Sequence, residues 1–104
     1  MESMNRKIIA KEFAEAINSE YIKQIILFGS VARGEDTDNS DIDMLIITVS
    51  EDKIGKNVDD KVFDILCKYR EVISAHLMSY EIYNKTKHFS FLSTVLKEGE
   101  ILVG

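Results

Sequence analysis

Two aspartates two residues apart, Asp41 and Asp43, open an apolar run, Met44-Leu45-Ile46-Ile47, and a glycine-serine pair, Gly29-Ser30, closes the apolar run before it, Ile25-Ile26-Leu27-Phe28. Alternate residues of a strand share a face, with Cβ atoms roughly 6.6 Å apart. Two carboxylates so placed repel by about 2–3 kcal/mol at an effective dielectric near 20, and Asp is a poor strand former. Stability alone disfavours the arrangement. One or two Mg2+ ions, hard cations that take oxygen ligands, relieve it. A glycine directly after a strand lets the chain turn sharply and lets a phosphate approach main-chain N–H groups. Ser30 adds a hydroxyl, the start of a short helix adds oriented amides, and Arg33 one turn later can reach a phosphate or the loop carboxylates. These residues suit a nucleotide and a divalent cation held side by side. The segment is not a Walker loop, because the lysine and its spacing are absent. Glu35, Asp36 and Asp38 read as a solvated loop.

The elements that position these groups follow from hydrophobic periodicity. Residues 4 to 18 carry Met4, Ile8, Ile9, Phe13, Ala16 and Ile17 as a helical stripe. Residues 23 to 28 predict a buried strand, 30 to 34 one helical turn, 35 to 40 a polar loop and 42 to 49 a second strand. Residues 50 to 57 predict a charged connection turning at Gly55. A helix follows over 58 to 70, with Val58, Val62, Ile65, Leu66 and Tyr69 on one side, and Cys67 among them reads as core filler. Residues 72 to 78 predict a third strand, and 80 to 97 a helix in two pieces, parted around 85 to 88 and ended by Gly99. Ile101-Leu102-Val103 suits a short edge strand or packing on the core. This alternation defines an α/β layer, a three- to four-stranded sheet with helices mainly on one face and the other face free for a ligand or partner. Tyr80, Tyr83, Phe89 and Phe91 crowd a short stretch; most read as helix packing, with a surplus for an exposed patch, and His88 beside them reads as structural.

The chain has 104 residues, which bounds it to a single domain, residues 1 to 104, able to close a core without staples. No apolar run approaches the roughly 18 residues that span a bilayer, and the N-terminus lacks a signal-peptide layout. A lone Cys67 cannot form an internal disulfide, so a reducing, cytoplasmic setting is expected. The net charge of −5 disfavours a long nucleic acid as main partner, since such a partner calls for a basic face. It does not exclude a small nucleotide whose charge a metal covers.

Gly29-Ser30, ten residues, then Asp41-Ile42-Asp43, with Arg33-Gly34 and Ser40 between, resembles the signature of the minimal nucleotidyltransferase domains. These belong to the DNA polymerase β-like superfamily, which includes kanamycin nucleotidyltransferase. The resemblance implies a mixed sheet. It makes Asp41 and Asp43 the catalytic metal ligands for Mg2+, and Gly29 and Ser30 the cradle for the triphosphate of ATP or another NTP, with Arg33 and Ser40 beside them. The implied reaction is in-line attack of a hydroxyl on the α-phosphorus, with pyrophosphate leaving. The small size resembles the stand-alone members encoded beside HEPN-domain proteins. In the best understood of those pairs the nucleotidyltransferase is the antitoxin and adenylylates a tyrosine of its HEPN toxin. A second copy of the chain is a further candidate partner.

The superfamily also places a third carboxylate on the next strand, and here that strand, Val72-Ile73-Ser74-Ala75-His76-Leu77-Met78, contains none. Alternation puts Ser74 and His76 on one face, with Ser74 near the expected acid. His76 suits a general base near neutral pH; the plainer reading is a half-exposed strand histidine. Glu71 and Glu81, flanking the strand, are weaker substitutes. The missing acid also supports a second reading, a nucleotide-binding module that neutralises its partner by binding alone. Transfer to a small molecule such as an aminoglycoside would need a second domain or a dimer to hold the sugar.

Overall fold

The computed structural model describes residues 5–104; Met4, expected in the first helical stripe, lies outside them. Helix α1 (Arg6–Ile17) starts where the Asn5 side chain accepts a hydrogen bond from the Lys7 amide at 2.7 Å. Its buried stripe is Ile9, Phe13 and Ile17 with Ala10 and Ala14 between, while Ile8 and Ala16, expected in it, are exposed. There follow β1 (Ile22–Phe28), α2 (Gly29–Arg33), β2 (Ile42–Thr48), α3 (Glu51–Tyr69), β3 (Ile73–Ser79), α4 (Tyr80–Thr86), α5 (Ser90–Glu98) and β4 (Glu100–Val103). The strand order is β3-β2-β1-β4. β1 pairs antiparallel with β2 and β4, and β2 pairs parallel with β3. A parallel pair needs a crossover, which α3 provides. The sheet is therefore mixed and four-stranded, as expected for this α/β class.

The main core lies where α1 and α3 cover Ile25, Leu27, Ile42, Met44, Ile46 and Ile73. On the other face Ile26, Leu45 and Ile47 meet Leu92 and Val95 of α5. Burial on both faces explains why β2 reads as a continuous apolar run rather than an alternating one. That second face is thus not wholly free. α5 closes part of it, and the open part lies toward Phe28, Asp43 and Ser74. Gly99, just past α5, permits the close approach to β1: a Cβ there would stand 2.8 Å from the Ile26 Cγ2 and 2.9 Å from the Leu27 carbonyl oxygen.

Two expectations change around α3. Residues 51–57, expected as a connection, form its first turns. Glu51 and Asp52 favour a helix start electrostatically, and buried Ile54 continues the Val58 and Ile65 stripe one turn earlier. Gly55 is therefore an interior helical residue, and a Cβ there meets nothing within 4 Å. Gly55→Ala is expected to raise stability by about 0.5–1 kcal/mol, read as a higher urea midpoint with an unchanged slope. The second change is Cys67, which is exposed. Two residues beyond Ile65 is about 200° around a helix, which carries Cys67 away from the stripe. Leu66 is exposed as well.

Candidate active site

Strand β1 ends at Phe28, and the chain enters α2 through Gly29 with φ at +76°, a conformation costly for any residue with a Cβ. The turn of helix closes on Gly34, also left-handed, and the Glu35 amide donates to the Ser30 carbonyl at 2.8 Å. A Cβ on Gly29 would overlap Asp43 Oδ2. The bend and the carboxylate therefore share one small volume, open only because residue 29 has no side chain.

Asp43 lies in an inner strand, paired with Phe28 of β1 and Ser74 of β3. Its neighbours in alternation, Leu45 and Ile47, face α5, so Asp43 faces the same way. Asp41 is exposed just ahead of β2, where the Ile42 amide donates to the Val72 carbonyl at 2.9 Å. Burial pushes the Asp43 carboxyl above the usual range; the charge of Asp41 adds to this, while His76 and Arg33 pull it back. On β3, Ser74 Oγ and His76 Nε2 lie 3.2 Å apart, and the His76 ring packs 5.7 Å from Phe28.

Among the described residues no acid takes the place of the one absent from β3. Among the described residues no three His, Cys, Asp or Glu side chains converge as a metal site. Glu71 is held by Arg6 Nε at 2.8 Å, and Glu81 pairs with Lys85 on α4 at 3.0 Å. The pair Asp41 and Asp43 nevertheless fits Mg2+, which is commonly held by one or two carboxylates, with substrate phosphates and water completing the shell. Arg33 pairs with Glu35 at 3.1 Å and with Glu98 of α5 at 3.7 Å, close enough to Asp43 to favour its charged form. Ser40 accepts a hydrogen bond from the Thr37 amide at 2.9 Å, so its hydroxyl closes the loop.

Sequence reasoning overlooked Arg6. Its guanidinium, 14% exposed, contacts Glu71 and Asp36 at 2.8 Å each, and donates to the carbonyls of Thr37 and Asp38. The loop leading to Asp41, expected to be merely solvated, is pinned to the start of α1. No local signal announces this, because the partners lie 30 to 65 residues away. Arg6→Ala leaves two carboxylates and two carbonyls without their donor. It is expected to cost about 2 kcal/mol, measured by chemical denaturation.

Fold and site together define a nucleotidyltransferase. Residues 9–99 match the family model of the nucleotidyltransferase domain, and the chain belongs to that family. Two proteins of Methanocaldococcus jannaschii, each named "putative protein adenylyltransferase", are similar along nearly their whole length. One is 45% identical over 102 residues, covering 95% of this chain and 99% of the relative. The other is 33% identical over 94 residues, covering 88% and 92%. Two crystal structures share the fold at 18% identity. A "putative nucleotidyltransferase" from Sulfolobus solfataricus gives a TM-score of 0.51 over 90% of this chain and 76% of that one. A toxin-antitoxin structure with AMP-PNP gives 0.57 over 96% and 73%.

Proposed function

We propose that this domain transfers AMP from ATP to a hydroxyl of a partner protein, as the antitoxin of a HEPN-domain toxin. The observation that carries the reading is the missing Cβ at Gly29, which lets the phosphate-binding bend and the Asp43 carboxylate occupy adjoining space. The names of the two archaeal relatives support protein as acceptor. The fold shared with a toxin-antitoxin structure supports the pairing. Among the described residues no helix is long and apolar enough to cross a membrane, which is compatible with the cytoplasm, where ATP and such a partner would be met.

Gly29 and Ser30 receive the triphosphate on main-chain amides and the serine hydroxyl. Asp41 and Asp43 would hold Mg2+, which when bound stabilises charge on the attacking and leaving oxygens. The acceptor oxygen bonds to the α-phosphorus, the bond from that phosphorus to the bridging oxygen breaks, and pyrophosphate leaves. With its Nε2–H donated to Ser74 Oγ, the imidazole of His76 takes the acceptor's proton on Nδ1. Arg33 offsets negative charge beside Asp43.

The acid-free β3 favours one further reading, neutralisation by binding alone. Mass spectrometry of the HEPN partner after incubation with Mg2+ and ATP separates the two. Adenylylation by the wild type and none by Asp41→Asn is expected. Full neutralisation by Asp43→Asn without ATP would select binding alone.

A further inference from the structure

An aromatic strip borders this site without a part in the chemistry above. Phe28 comes directly before the phosphate-binding bend and is the cross-strand partner of Asp43. Its ring meets Phe91 edge to face, with centroids 6.1 Å apart and planes at 88°. Phe91 is 61% exposed, and Phe89, at the N-cap of α5, is 65% exposed. Their position is not that of a loosely held tail. Leu92 and Val95 anchor α5 in the smaller core, and the Arg33–Glu98 contact ties its far end to α2. A single exposed phenylalanine needs no explanation. A ring held on a fixed helix and joined through Phe28 to the bend is continuous with the nucleotide site.

We propose that Phe91, backed by Phe28, is the platform on which the nucleobase of the bound nucleotide stacks. The inference rests on the reading of Gly29, Ser30, Asp41 and Asp43 as the triphosphate and metal site. The strip begins at Phe28, where the phosphate cradle ends, so a nucleotide seated in that cradle has its ribose and base still to place. The strip is an apolar surface contiguous with that cradle through Phe28. Stacking uses the π-face that every base carries, so Phe91 contributes affinity and does not choose between adenine and guanine.

Calorimetric titration of Mg2+-ATP and of Mg2+-tripolyphosphate, which has no base, tests this on wild type, F91A and F91W. F91A is expected to weaken ATP about tenfold and to leave tripolyphosphate within twofold. F91W retains ATP affinity. The chain has no native tryptophan, so the fluorescence of F91W reports position 91 alone; ATP should quench it and tripolyphosphate should not. Equal ATP binding by wild type and F91A overturns the proposal, as does equal loss of both ligands, which would mean a damaged fold. Unchanged ATP affinity with loss of partner adenylylation assigns the strip to the acceptor protein and also overturns it. If wild type binds tripolyphosphate and F91A binds ATP as tightly as wild type does, only the base platform fails. If wild type binds neither ligand, the triphosphate reading fails and takes the platform with it.

Discussion

Gly29→Ala leaves a folded protein that no longer transfers nucleotide. The alanine would have to adopt φ near +76°, at about 1–2 kcal/mol for a residue with a Cβ, which lowers Tm by roughly 5–10 °C in a domain of this size. Its methyl group would also claim the space of Asp43 Oδ2, and the carboxylate must swing away or the bend must open. Either movement separates the proposed phosphate cradle from the proposed metal ligand. Weakening of Mg2+-ATP by at least about tenfold and of transfer by at least about a hundredfold is expected, since a displaced catalytic group costs on that order. A double-mutant cycle with Asp43→Ala checks the cause. If the overlap matters, the stability cost of Gly29→Ala shrinks when Asp43 is truncated. A cost that stays the same in both backgrounds would show that only the backbone angle is at stake.

Asp43→Asn is expected to remove transfer while making the metal-free protein slightly more stable. On the proposed role of Asp43 as a metal ligand, its loss forfeits several kcal/mol of transition-state stabilisation, hence a fall of about a thousandfold or more in rate. The stability effect follows from the direction of the carboxyl shift. Burial raises the folded-state value of Asp43 above its unfolded value. The protonated acid is thus the better-tolerated form: its contribution is fully present below the ordinary carboxylate range and is lost as pH rises through the folded value. At neutral pH the wild type carries an ill-placed charge that asparagine lacks. The side chain is only half-buried, so solvent screening limits the gain to a few tenths of a kcal/mol. Thermal melts in EDTA should place Asp43→Asn about 1–3 °C above wild type at pH 7, with the gap closing near pH 4. A lower Tm for the variant at pH 7 would mean that the carboxylate serves the fold rather than a cation.

The order of elements was legible because each has a strong local period or a clear stop. The two-piece helix ending at Gly99 is an example, as is the short edge strand β4. The start of α3 was not legible, because a glycine within a charged stretch looks like a turn until Ile54 finds the core that continues its stripe. The burial of Cys67 was misread for a similar reason: the phase of a 19-residue helix is set by what it packs on, not by its nearest apolar neighbours. The extent of the sheet's open face was not legible either, since α5 returns to cover part of it.

The sequence by itself determined that Gly29 and Asp43 adjoin at the candidate site, because a glycine bend and alternate aspartates at adjoining strand ends carry their geometry in their spacing. Strand pairing then set Phe28 and Ser74 on either side of Asp43. What surrounds that core is a matter of tertiary structure alone. Arg6 gripping the loop ahead of Asp41, Glu71 being drawn off by Arg6, and Phe91 standing against Phe28 all join residues distant in the chain. Such contacts form only when helices and sheet have packed, and no local pattern encodes a partner 30 or 65 residues away.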